Sequence, residues 1–224
     1  SDKIAFYSQM VLDDLDSKLK KGALSNKYGF QLGIKAFDLF TIKNLFFQTE
    51  FNQVQPYTYG YKMPSQNYAH YNQALAHPLG ANFRESVSFL SYRHKDWFVE
   101  LKFNYAVYGA DTAETHFGKD VFQPDAAAGT IQSSPVSIKI MPPYYIGQGI
   151  RTVLMYKDLR LAYLLNPKTN LQVIVGVSNR IQKSPTDSKL TNFVYIGIRT
   201  SLTIIIMIFK IGNCLLLRYH PFGW

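Results

Sequence analysis

The chain has 224 residues, a formal net charge of +9 and one cysteine, Cys214, so neither an internal disulfide nor a cysteine-built metal site can form. Its 24 Lys and Arg residues are dispersed rather than clustered, which argues against nucleic acid as a partner; such a surface suits solubility, acidic polysaccharide or lipid headgroups. Charged residues make up only 17%, aromatics 15% and mean hydropathy is −0.10, which excludes a bundle of membrane helices and fits strands alternating lipid-facing and lumen-facing residues. A soluble β-sandwich is the competing class.

The first segment, Ile4 to Leu12, places Ile4, Phe6, Met10 and Leu12 on one face, and a charged loop (13–26) follows. The second, Lys27 to Phe40, sets Tyr28, Phe30, Leu32, Ile34 and Ala36 against Lys27, Gln31, Gly33 and Lys35. That is period two over the length a tilted strand needs to cross a bilayer. After a turn at Thr41 to Asn44, the third segment runs Leu45 to Tyr59 and puts Glu50 in mid-strand, where a wet barrel lumen receives a carboxylate more easily than a dry core.

A long loop (60–83) leads to the fourth segment, Arg84 to His94. A Lys95-Asp96 turn opens the fifth, Trp97 to Gly109, where Trp97, Val99, Leu101, Phe103, Tyr105 and Val107 oppose Glu100, Lys102 and Asn104. A second long loop (110–148) precedes the sixth segment, Gly149 to Leu165. The NPKTN turn then gives the seventh, Asn170 to Lys183, and a polar loop (184–192) gives the eighth, Phe193 to Leu202.

Long and short connections alternate throughout this reading, as in up-and-down outer-membrane barrels with short periplasmic turns and longer extracellular loops. The expected fold is therefore all-β: an antiparallel up-and-down transmembrane barrel with about eight strands present (residues 1–202). Glu50, Glu100, Lys102, Arg160, Arg180 and Arg199 are expected on its polar lumen side, with the glutamates paired to Lys102, Arg93 or Lys35. A barrel must be exported, so an upstream leader is expected.

Residues 203–224 abandon the alternation in the run TIIIMIFKIG. Codons for this run can be written so that, read one base earlier, they give YNNYYDFQNW, which continues the eighth segment as a polar, aromatic strand. The tail is therefore expected to be out of frame.

The loop between the third and fourth segments concentrates candidate binding groups: Asn67, Tyr68, His70, Tyr71, Asn72, Gln73 and His77. Aromatic faces beside planar amides suit sugar contact, and they equally suit a self-packed loop plugging a barrel mouth. His70 and His77 lack a third ligand nearby, so no metal is expected. No nucleophile elbow is present, so neither catalytic residues nor a cofactor is implied.

The stretch QPYTYGYKMPSQNYAHYNQALAHPLGANFRE (Gln55 to Glu85) resembles the corresponding loop of Bacteroidetes outer-membrane barrels of the capsule-assembly Wzi family, which include gliding-motility proteins of the RemB type. IAFYSQMVLDDL, LRLAYLLNPKTNLQ, VYIGIRTSL and the shifted YNNYYDF agree with it. The resemblance implies the C-terminal portion of a larger barrel in the bacterial outer membrane. Its partners would be outer-membrane lipid, surface polysaccharide and the N-terminal strands of the same barrel. Its role would be non-enzymatic, in capsule assembly or attachment or in gliding. A porin or transport pore is the alternative, and an outer-membrane enzyme such as a lipase a third.

Overall fold

The computed structural model describes residues 3–15, 24, 26–71, 73–113, 115–125, 130–133, 136–139 and 144–201. The strands are β1 (Ile4–Asp14), β2 (Lys27–Phe37), β3 (Leu45–Val54), β4 (Ala69–His70), β5 (Gln73–Ala74), β6 (Phe83–His94), β7 (Trp97–Ala110), β8 (Thr130–Ser133), β9 (Val136–Lys139), β10 (Ile150–Asn166), β11 (Leu171–Lys183) and β12 (Ser188–Arg199). Eight of them form one antiparallel meander in the order β1-β2-β3-β6-β7-β10-β11-β12. Pairs β4-β5 and β8-β9 are small separate hairpins inside the two long loops. Among the described residues, β1 and β12 each pair on one side only.

Register sorts the side chains into two faces of opposite character. One lateral row crosses all eight strands as Ile4, Ala36, Phe47, Leu90, Leu101, Leu159, Val177 and Val194. A row on the other face reads Tyr7, Gly33, Glu50, Val87, Asn104, Tyr156, Arg180 and Thr191. The usual order of burial is inverted between them. Leu101 (43% exposed), Leu159 (46%) and Val177 (45%) lie open, while Asn52 (6%) and Glu85 (5%) on the polar face are covered. A soluble sandwich would bury the first face and wet the second.

The buried apolar cluster is small and sits where the loops meet the polar face at the long-loop end of the sheet. It comprises Val54, Ala81, Phe83 and Tyr108, with Tyr59, Leu79, Ala110 and Leu154 packed against it.

Both outer strands are tied inward by the same device. Tyr7 of β1 lies across Gly33, where a Cβ would come within 2.2 Å of its ring, and its hydroxyl donates to Glu50 on β3. Tyr195 of β12 lies across Gly176, with the same 2.2 Å approach, and its hydroxyl donates to Asp158 on β10 at 3.4 Å. Only glycine leaves room for an aromatic ring laid flat on the neighbouring strand.

The eight expected segments are the eight sheet strands, with differences at their ends. The third ends at Val54 rather than Tyr59, because Pro56 follows and Tyr57 and Tyr59 take φ of 64° and 75°. The eighth begins at Ser188 rather than Phe193. Ser184 donates its N–H to the Asp187 carbonyl (2.8 Å) and accepts the Asp187 N–H (3.0 Å), closing a four-residue turn (184–187). That connection is short, so the regular alternation of connection lengths fails at the last hairpin. Most of the 13–26 loop, Asn72 and the tail 203–224 lie outside the described residues.

Candidate functional site

Parts of two long loops, residues 55–71 and 73–82 of the first and 111–113, 115–125 and 144–149 of the second, fold over the polar face and are locked to it by buried polar contacts. Lys27, the first residue of β2, donates to the Gly60 carbonyl (2.5 Å) and to Asp125 (2.6 Å), joining both loops to the sheet. The Lys27 and Asp125 side chains are 6% and 13% exposed, and an ammonium so desolvated persists only beside its counter-charge. Further strand-like contacts run between the loops: Tyr57 N–H to Gly118 O (3.0 Å), Ala81 N–H to Lys119 O (3.1 Å) and Asp125 N–H to Tyr61 O (3.0 Å).

Asn82, fully buried at φ 59°, is the hub of the cap. Its amide donates to the carbonyls of Gly109 (3.1 Å), Phe117 (3.3 Å) and Gln148 (3.0 Å), and its oxygen accepts the Gly147 N–H (2.7 Å). Asp111 organises the second loop by accepting from the His116 ring (3.3 Å) and the N–H groups of Phe117 and Asp120. Burial opposes ionisation of Asp111, but those donors outweigh it and hold its pKa below the usual aspartate value.

Beneath the first loop lies a cavity of about 810 Å³ against β1, β2 and β3, walled by Tyr59, Tyr61 and Tyr68 with Gln9, Gln31 and Asn52 on its floor. Tyr61 donates its hydroxyl to Asp13, and that hydrogen bond, with burial adding to it, pushes the Tyr61 phenol up. The other Asp13 oxygen is buried without a partner among the described residues.

The structure divides the loop candidates into two sets. Asn67 and His77 are engaged in contacts within the fold. The Asn67 oxygen accepts the Tyr61 N–H (2.7 Å) and its amide donates to Gln123 O (3.2 Å), so both ends of a buried side chain are taken. His77 stacks on Phe83 at 4.5 Å, accepts the Leu79 N–H at Nδ1 (3.2 Å) and meets Glu85 through Nε2 (2.8 Å). That geometry puts its proton on Nε2. Sequence reasoning missed Glu85, the acid that also takes Asn104 (2.6 Å) and Asn52 (3.3 Å).

His70, Tyr71 and Gln73 instead sit on the exposed β4–β5 hairpin, where Tyr71 is 89% exposed and its ring meets that of His70 edge-on at 4.3 Å. Tyr68, half exposed, stacks on Tyr59 at 5.7 Å. Asn72, between Tyr71 and Gln73, lies outside the described residues.

On the polar face, Glu100 pairs with Arg160 (3.0 Å) and not with Lys102, Arg93 or Lys35. Glu50 meets neutral partners, Tyr7, Gln31 (2.9 Å) and Gln48 (2.7 Å). Arg160 stands directly across from Glu100 in the β10–β7 register, a pairing that sequence alone does not reveal. Lys102 lies over the rings of Phe89 (5.2 Å) and Tyr156 (5.9 Å). Arg180 is exposed and donates to Gln182 (3.2 Å), and Arg199 ends the outer strand β12.

Comparison of the chain with family models, with curated proteins and with solved structures returns no match.

Proposed function

We propose that this chain is part of an outer-membrane β-barrel of the Wzi/RemB type, with a non-enzymatic role in surface polysaccharide attachment or gliding. The observation that carries the reading is the inverted polarity of the sheet. Apolar residues stand open on one face while carboxylates, amides and guanidiniums line the sheltered one, as a lipid-facing wall around a polar lumen requires. On β7 the apolar stripe from Trp97 to Val107 covers eleven residues, the length a tilted strand needs to span a bilayer.

Trp97 and Tyr163, in ring contact at 4.8 Å, stand at the short-turn end of this face, where an interfacial aromatic girdle belongs. Lipid tolerates no unpaired strand edge, so the free edges of β1 and β12 are completed by further strands of the same barrel. The cap over the polar face favours an occluded lumen over a porin. The exposed His70, Tyr71 and Gln73 supply the outward stacking and hydrogen-bonding groups for a glycan.

The test is the complete gene product, purified from outer membranes. The expected result is heat-modifiable gel mobility, near-zero conductance in planar bilayers, and retention on the cell's own surface polysaccharide that falls severalfold in His70→Ala/Tyr71→Ala. A steady open conductance would transfer the reading to a pore. A protein that stays in the aqueous fraction would end the barrel reading.

A further inference from the structure

The charges on the apolar face are unlike those on the polar face. From β2 to β12 every strand carboxylate (Glu50, Glu85, Glu100, Asp158) belongs to the polar face. The apolar face of β6, β7, β10 and β11 carries four charges, Arg84, Arg151, Lys157 and Lys183, all basic and all exposed. Arg84, Val107, Val153 and Lys183 form one lateral row, and Arg151 stands two residues further toward the loops.

With strands about 4.8 Å apart, Arg84 and Lys183 are separated by roughly 14 Å, and Arg151 lies between them. Lys157 is six residues deeper than Arg151 on β10, and its aliphatic stem can lie along the wall while its ammonium rises toward the same margin. Among the described residues none of the four meets a carboxylate; Arg84 donates to Gln53 (2.8 Å), a neutral partner. All but Lys157 stand at the long-loop end. The opposite margin carries Tyr92, His94, Trp97 and Tyr163 instead.

Like charges gathered without counter-charge on an apolar wall repel one another, and an external anion relieves that repulsion. Beneath them Tyr105, Met155 and Ile181 continue the wall, a surface for hydrocarbon. We propose that Arg84, Arg151 and Lys183 form a docking surface for the phosphates of an anionic lipid in the leaflet at the long-loop end, with its acyl chains on the wall below. Arginine takes phosphate in a two-pronged grip and lysine as a point charge. The inference rests on the barrel reading and adds the lipid chemistry and its place.

The test compares a bis-phosphorylated lipid A with the same molecule after enzymatic removal of its phosphates. The complete gene product in mild detergent is offered each, and retained lipid is counted by native mass spectrometry. The protein should keep the phosphorylated form roughly tenfold or more over the dephosphorylated one. Arg84→Gln/Arg151→Gln/Lys183→Gln should lose that preference. The control Lys35→Gln/Arg180→Gln/Lys189→Gln removes as many charges elsewhere and should keep it.

Heat-modifiable mobility, recorded on the same samples, separates the two readings. A triple variant that keeps this mobility and still prefers the phosphorylated lipid overturns the docking surface alone. A wild-type protein without such mobility overturns the barrel and the surface together. Displacement of the lipid by millimolar inorganic phosphate would show a general anion site and also overturn the assignment.

Discussion

Asn82 shows how much one side chain can hold. Its two amide hydrogens are shared by three carbonyls, its oxygen takes a fourth contact, and its backbone sits in the left-handed region that asparagine tolerates. Asn82→Ala would orphan buried carbonyls and strain the backbone, and should cost about 3 kcal/mol or more in urea unfolding. Asn82→Gly relieves the strain without restoring the bonds, so its loss should be smaller. In the sequence, Asn82 reads as an ordinary turn residue before a strand. Its role was invisible because its side-chain partners lie 27 to 66 residues away. His77 reads in the sequence equally as a sugar-contact group and as a loop-packing group for the same reason. The local pattern shows an aromatic, polar loop, and only the fold brings Glu85 and Phe83 against the ring.

At the scale of elements, the sheet strands were legible because period-two alternation survives whichever face is buried. The short hairpins β4–β5 and β8–β9 were not, since two- and four-residue strands leave no period to read. The loop around Asp111 gives a prediction with a definite sign. Its carboxyl titrates below the ordinary value in the folded chain, so the contacts to Phe117 and Asp120 are fully present above about pH 3.9. They are lost as pH falls through the depressed folded value. Pepsin, active in acid, should therefore leave the Phe117 region intact near pH 4 and cut it only well below that. Asp111→Asn, which keeps one acceptor oxygen where the carboxylate offers two to Phe117 and Asp120, should move cleavage to higher pH.

For the whole molecule, the decisive property is which face is open. Leu101 lies mid-strand in the row that runs apolar across all eight strands. In a bilayer, Leu101→Arg should destabilise the folded state by about 2–4 kcal/mol, whereas Ser178→Arg on the polar face should cost little. Reversible urea titration in lipid vesicles measures both, and equal costs would argue against a lipid-facing wall. Composition and alternation announced this two-faced sheet. They could not say that the loops would close over the polar side, because the ties at Lys27, Asn82 and Asp125 are all long-range.

The matched Tyr7–Gly33–Glu50 and Gly176–Tyr195–Asp158 ties have a consequence for assembly. Each terminal strand is fastened by a side chain reaching back to the second strand in, so neither depends on a later neighbour to hold its place. The eight strands can thus form as a prefabricated panel with both margins finished. Among the described residues, what remains at the outer edge of β1 and of β12 is a ladder of main-chain donors and acceptors. On the barrel reading, a strand joining there would be chosen by register, set by where its own apolar side chains must continue the wall, more than by any lock of side chains at the join.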